Sequence, residues 1–410
     1  MKQYLFLSLV GAAAIGHGYA QGLYYTGSEV QQSLPLRWTV GLDAVWDDNV
    51  NPTAVGVGHN DSAFSLNPYV GASFVRITPQ TTWDVFTRLG LVYYIDKPAA
   101  LGSKDIYAQD RLEVNYTHRF SERLRFSSRN FVSYELEPNY AYGFATNRQA
   151  GNYLYWQTDN SVGYRWTERL ATYTGFSLTG LNYDDNKVAN SDRFTWLAYN
   201  QFRYQITPQS VLTGEYRYGQ TTGNGVSNDS TDQYILAGIE HRFSPTTILI
   251  ARVGAQHQDQ NSRSSSSPYA ELAMSSQLND QFTIHSFLRY GIENYDNIRV
   301  IGAGVYEYTD RKTLRVGVNG EYALNPMFSI FGGVDYIPSS FGTGMRVAGV
   351  GPLRNSGLSE DLINTYLGLS VKFNQHLFGT LSYNYTNSTS DFSNYSYDRN
   401  RVSVGVRGEF

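Results

Sequence analysis

Apolar and polar positions alternate with a period of two along most of the chain. Trp38, Val40, Leu42, Ala44 and Trp46 interleave with Arg37, Thr39, Gly41 and Asp43. Trp83, Val85, Leu89, Leu91 and Tyr93 fall on one face, with Asp84, Arg88 and Gly90 on the other. Leu112, Val114, Tyr116 and Phe120 stand opposite Arg111, Glu113, Asn115 and Arg119. Successive side chains of a strand point to opposite faces, so this period predicts strands with one apolar and one polar side. Roughly eighteen such segments run from 36–47 to 397–410. They include 211–220, 232–243, 247–257, 269–278, 308–324, 327–337 and 361–373. Most exceed the roughly 5–6 residues usual in soluble sheets and reach the roughly 9–11 that a tilted membrane strand needs.

The connections fall into two alternating sets. One set is short: "TPQT" at 78–81, "SER" at 121–123, "TER" at 167–169, "ND" at 279–280, "NP" at 325–326 and "NQH" at 374–376. The other is long and rich in Gly, Ser, Asn and Asp, as in "TTGNGVSNDST" at 221–231 and "QDQNSRSSSS" at 258–267. Short turns at one end and long loops at the other predict an all-β, antiparallel, up-and-down transmembrane barrel over 36–410, with about 18 strands. An even strand count places both termini on the short-turn, periplasmic side. A soluble β-sandwich also alternates, but it does not sort its turns and loops to opposite ends.

An apolar residue precedes most short turns: Phe120, Trp166, Ile206, Phe243, Leu278, Leu324 and Phe373. These predict a ring at the periplasmic interface, where aromatics settle. Phe410 completes it. Val402, Val404 and Val406 alternate up to this terminal Phe410, a pattern that resembles the signal by which the barrel-assembly machinery recognises outer-membrane proteins. At the other end, residues 1–20 read "MKQYLFLSLVGAAAIGHGYA". Lys2, the short apolar run from Tyr4 to Ile15, and the small residues Gly18 and Ala20 predict a cleaved signal peptide. Residues 21–35 are then a short periplasmic segment, too short for a plug.

Composition narrows the class further. Cys is 0, which removes disulfides, thiolate metal sites and cysteine nucleophiles. Lys+Arg is 32 against Asp+Glu 36, which gives no nucleic-acid footprint. The mean hydropathy of −0.38 reads as soluble. A barrel, however, is apolar only at every second position, so its average can be low.

The first strand ends in "WDDNV" at 46–50, the seventh in "YDDNK" at 183–187, and the thirteenth leads to "YDNI" at 295–298. A first strand closing on aromatic-Asp-Asp-Asn resembles β-barrel porin family 2. The sharp part of the resemblance is 46–49, and it extends over 36–410. It implies an outer-membrane channel, in some members associated with exopolysaccharide export, with no catalytic residues to carry over. The Asp residues near the outer interface would either bind divalent cations that bridge lipopolysaccharide or serve as ordinary loop-opening residues, since Asp and Asn favour turns.

An eighteen-stranded barrel leaves an aqueous lumen. Alternation aims Arg88, Arg111, Glu113, Arg125, Arg129, Asp159, Arg203, Glu215, Arg217, Arg252, Arg289, Arg315, Glu321, Lys372, Arg401 and Arg407 into it. Such charges tune ion selectivity, or pair and merely solvate the wall. Inward Tyr155, Tyr199 and Tyr366 are candidate sugar-stacking platforms. The 338–360 loop, with Arg346 and Arg354, is long enough to suggest a function. It either folds inward as a constriction or covers the mouth.

On most strands the outward residue near mid-membrane is apolar, but Asn130, Asn160 and Asn200 are exceptions on the fifth, sixth and eighth strands. A lone amide in hydrocarbon costs several kcal/mol by order of magnitude. Either a second copy of the chain covers this sector, or a β-bulge turns these residues inward. The histidines His59, His118, His241, His257, His285 and His376 are scattered. His285 and its neighbour Ser286 face opposite sides, which disfavours a catalytic dyad. The expected protein is therefore not an enzyme and needs no cofactor or metal. It is an outer-membrane channel of a Gram-negative bacterium that passes hydrophilic solutes or exports a glycan. The alternative is a closed barrel acting through its outer loops. Its expected partners are membrane lipid, lipopolysaccharide, the assembly machinery and a second copy, with no nucleic acid.

Overall fold

The structure is a computed structural model that describes residues 34–50, 62–96, 104–136, 152–184, 192–223, 229–260, 263–293, 298–392 and 395–410. Residues 1–20 and most of 21–35 lie outside them, as do most of "YDNI" and the end of "YDDNK".

Among the described residues there are only strands, turns and irregular segments. The first thirteen strands are β1 (Leu34–Asp47), β2 (Ala63–Ile77), β3 (Thr81–Tyr94), β4 (Ile106–Arg119), β5 (Leu124–Glu135), β6 (Tyr153–Arg165), β7 (Leu170–Tyr183), β8 (Arg193–Thr207), β9 (Ser210–Gly223), β10 (Ser230–Ser244), β11 (Thr247–Gln260), β12 (Arg263–Gln277) and β13 (Phe282–Ile292). They are followed by β14 (Ile298–Ile301), β15 (Gly304–Tyr308), β16 (Arg311–Ala323), β17 (Phe328–Phe341), β18 (Gly344–Gly349), β19 (Arg354–Asn355), β20 (Ser359–Lys372), β21 (Leu377–Ser390) and β22 (Tyr397–Glu409). Eighteen strands form one sheet, and β14, β15, β18 and β19 form a second, four-stranded one. Each barrel strand pairs antiparallel with its neighbours, and β1 pairs with β22 from Thr39↔Glu409 to Asp47↔Arg401, so the large sheet closes on itself. Closure removes the sheet edges that lipid could not hydrogen-bond. Phe410 finishes the seam: its backbone N–H and C=O exchange hydrogen bonds of 2.9 Å with Trp38.

The alternation decides which side faces out. Trp38, Val40, Leu42, Val70, Leu89, Leu112, Phe176, Ile235, Val253, Val318, Leu367 and Val404 are exposed on the outer surface. They form an apolar belt. The ring residues Phe120, Trp166, Ile206, Phe243, Leu278, Leu324, Phe373 and Phe410 are all exposed at its short-turn rim. There His118 meets the Thr81 hydroxyl at 2.8 Å and packs edge-on against Phe120, while His241 meets Ser210 at 2.9 Å and packs against Phe243. These two histidines are packing residues of the rim.

The short turns share one local chemistry. Ser121, Thr167, Asn279, Asn325 and Asn374 each accept, through the side-chain oxygen, the backbone N–H groups two and three residues ahead. The amides that the reversal leaves outside the ladder are thereby satisfied. The fourth residue of each turn is apolar and returns the chain to the belt.

Two sequence expectations change. The segment 258–267 is not a loop: β11 and β12 stay paired from Ser276 to Gln260↔Arg263. Similarly, β17 continues to Phe341 and β21 to Ser390. Beyond the membrane both faces of a strand meet water or polar neighbours, so the ladder continues after the hydrophobic period has ended. The predicted strand 308–324 is also divided, because β15 leaves the barrel to pair with β18 and the barrel strand starts at Arg311. The 338–360 segment therefore forms part of an outer cap. Gly302 and Gly349, at φ of 58° and 78°, make cap turns that a side chain would strain.

Candidate functional site: the charged lumen

The strand register shows which of the charged residues on the inward face meet. On β8–β12, Gln201, Arg203, Glu215, Arg217, Glu240 and Arg252 are buried and join the partly buried Glu271 in one network. Arg203 makes a paired contact with Glu240 and donates to Gln201 at 2.7 Å. Arg217 reaches Glu215 at 2.5 Å and Glu271 at 3.0 Å. Arg252 lies 3.1 Å from Glu271 and 3.5 Å from Glu215. Tyr269 donates to Glu271. Three arginines thus face three glutamates, and the charge closes within the network.

The same logic continues around the wall. Glu293, just past β13, takes Arg315 at 2.6 and 3.0 Å and Arg289 at 2.7 Å. Arg111 donates to Glu135 at 2.8 Å, and Arg88 pairs with Asp43 at 3.2 Å while lying 3.7 Å above the Tyr69 ring. Glu113 accepts from Asn115 at 3.0 Å, and Lys372 sits 5.7 Å from the Phe378 ring. The carboxylates Asp43, Glu240, Glu271 and Glu293 were not singled out in the sequence. Only the strand offset shows that Glu240 and Glu271 each lie against an arginine.

Arg119 and Arg125 are directly opposite each other across β4 and β5. Arg129 stands opposite Asp159 on β6. The tyrosines proposed as platforms do face inward. Tyr155 is buried, Tyr199 donates to Asp159 at 3.2 Å, and Tyr366 lies over Gly333, where a Cβ would come within 2.7 Å of its hydroxyl.

At the outer rim the cap is held by charge and aromatics. Arg299 on β14 is buried 3.6 Å from Glu360 of β20, and its guanidinium lies 5.1–5.2 Å from the rings of Phe341, Phe392 and Tyr395. Tyr308 is fully buried edge-on against Phe341 and Phe392. Arg311 reaches Ser339 at 3.0 Å, and the Tyr306 hydroxyl donates to the Pro352 carbonyl. Of the two readings of the 338–360 loop, these contacts favour a cover at the rim.

The Asp residues of the "WDDNV" segment act as strand pins. Asp47 binds Arg399 and accepts from Asn49 N–H at 3.0 Å, and Asp48 accepts from Asn400 twice at 2.6 Å. This is loop-opening and seam chemistry. Among the described residues no group of three metal-ligating side chains occurs.

The outward amides keep the face that alternation assigned. The registers of β4–β8 are unbroken at Asn130, Asn160 and Asn200, so no β-bulge turns them inward. They bond along the outer surface. Asn130 donates to Ser128 at 3.0 Å and accepts from Thr158 at 2.8 Å, Asn160 donates to Thr158 at 2.7 Å, and Asn200 donates to Thr174 at 2.6 Å. The Asn200 carbonyl oxygen is buried with no partner among the described residues.

No family model matches the sequence, and no curated protein matches it. Among solved structures, the chain is similar to Pseudomonas aeruginosa OpdK with vanillate (TM-score 0.47, 13% identity, covering 92% of this chain and 99% of that one). It is also similar to Acinetobacter baumannii OccAB4 (TM-score 0.45, 14% identity, 93% and 100% covered). A third is Pseudomonas aeruginosa OccK2 (OpdF) in complex with glucuronate (TM-score 0.44, 10% identity, 92% and 98% covered).

Proposed function

We propose that the protein is an outer-membrane channel of a Gram-negative bacterium that passes hydrophilic solutes. The observation that carries this reading is the division of one closed sheet into an apolar outer belt and a charged, tyrosine-rich inner face. Lipid demands the first, and an aqueous path uses the second. The resemblance of 46–49 to porin family 2 supports an export role for a glycan, and inward Tyr199 and Tyr366 give sugar rings surfaces to stack on, whereas Tyr155 is packed into the wall. The short-turn end is periplasmic in this reading, and Val402, Val404, Val406 and Phe410 form the assembly signal read by the barrel-assembly machinery. The test is conductance: purified, heat-modifiable protein in planar bilayers should give discrete steps, and silent bilayers with folded protein would overturn the channel.

The cap favours a second reading, a barrel that acts through its outer rim with the lumen shut. The same recording separates the two readings. We also propose that the Asn130, Asn160 and Asn200 sector is covered by a second copy of the chain, which supplies partners for amide groups that lipid cannot satisfy.

A further inference from the structure

The inward face near the short-turn end of β4–β8 holds an arrangement that the ion-pair network does not explain. Arg119 and Arg125 occupy directly opposed positions on β4 and β5. Like charges in that position repel, so the pairing costs stability unless something between them offsets it. The next positions along the same row are Gly163 on β6 and Tyr173 on β7. A Cβ at Gly163 would lie 2.5 Å from the Tyr173 ring, so the absence of a side chain there lets the ring lie across β6. Arg125 donates to the Tyr173 hydroxyl, and the guanidinium of Arg203 lies 5.6 Å from the centre of the same ring.

Ser127 follows Arg125 on the same face of β5 and is 5 % exposed. Its hydroxyl oxygen has no hydrogen-bond partner among the described residues. A buried hydroxyl left unpaired carries a desolvation cost, which a ligand would remove. The carboxylates of this sector are directed elsewhere. Asp159 stands opposite Arg129, Asp84 is two strands from Arg129, and Glu122 is 4.0 Å from Arg165 in the turn. Arg119 makes no ion pair among the described residues.

We propose that Arg119, Arg125, Ser127 and Tyr173 form an oxyanion-binding site at the short-turn mouth of the lumen. It takes the phosphate or carboxylate group of a solute, and it rests on the channel reading for its role in transport. Two guanidinium forks supply charge-assisted donors, the two hydroxyls complete the set, and a bound anion converts the Arg119–Arg125 repulsion into two attractions.

The experiment is a calorimetric titration of the full, heat-modifiable barrel in detergent with inorganic phosphate at low ionic strength. Saturable binding of one phosphate is expected. Arg119→Gln and Arg125→Gln should each weaken it by about tenfold, the equivalent of losing one hydrogen bond to a charged group. Arg401→Gln, on β22, should leave it unchanged. Arg119 is exposed at the mouth, so its variant tests the site even where Arg125→Gln fails to fold. Absence of saturable binding to the wild type, or equal affinity in wild type and Arg119→Gln, would overturn the site. The titration needs no open pore. Silent bilayers with phosphate bound would sink the channel and leave the site, whereas conducting bilayers without phosphate binding would sink only the site.

Discussion

The inward faces of β8–β12 and of β4–β6 use the same residue types and come to opposite arrangements. On β8–β12 each of Arg203, Arg217 and Arg252 lies against glutamate, and all three are buried. On β4–β6, Arg119 faces Arg125. The first wall is neutral and cross-linked over several strands. The second holds positive charge at the lumen mouth, next to an unpaired hydroxyl. Removing one member of a buried pair strands the other, whereas removing one member of a like-charged pair relieves repulsion. One wall is thus organised for cohesion, and in our proposal the other is organised for a ligand.

Glu271→Gln tests that contrast most severely. It leaves Arg217 and Arg252 short of a carboxylate and should cost about 3–5 kcal/mol, read as a lower urea midpoint for loss of the heat-modifiable form. Arg119→Gln should leave that midpoint unchanged or slightly higher. Equal losses in the two variants would erase the distinction between the walls.

The seam supplies a reference independent of either wall. Deleting Phe410 removes both hydrogen bonds to Trp38 and one ring residue. The yield of heat-modifiable protein in outer-membrane fractions should fall severalfold, and normal yield would count against an assembly role for this residue.

Selectivity gives the next contrast. Arg119→Glu should shift the reversal potential in a salt gradient toward cations, because it reverses a charge at the mouth. Removing the neutral Arg203–Glu240 pair as Arg203→Gln/Glu240→Gln should shift it little. A larger shift from the second change would place the selective charge in the network. The smallest effect concerns the outer surface of the same β5–β8 sector. Cysteines at Asn130 and Asn200 should cross-link between protomers in this cysteine-free chain, while labelling by a lipid-soluble reagent alone would mean that lipid covers it.

Much of the fold was legible because the features that specify it are local. Alternation from Trp38 to Trp46 and from Val402 to Phe410 assigned both faces of strands that the structure then joins into the seam. Apolar residues at Phe120, Trp166 and Phe373 marked where strands leave the belt. The reading failed where that signal stops. Gln256, Gln258, Ser264 and Ser266 are polar on both faces, yet their backbones remain paired. A cover at the mouth was one of two readings of 338–360, but its strand pairing was not legible, because β15 and β18 come from different loops and a pairing between distant segments leaves no period in either one.

The sequence by itself determined which residues face the lumen, because a strand sends successive side chains to opposite sides wherever it lies. It also determined the turns, since a Ser, Thr or Asn at the first position satisfies nearby amides without help from distant residues. Only the tertiary structure decided that Arg217 meets Glu271 three strands away, that Arg119 meets Arg125, and that Phe410 closes on Trp38. Those meetings depend on the offset between neighbouring strands, and that offset is set by the closure of all eighteen strands together.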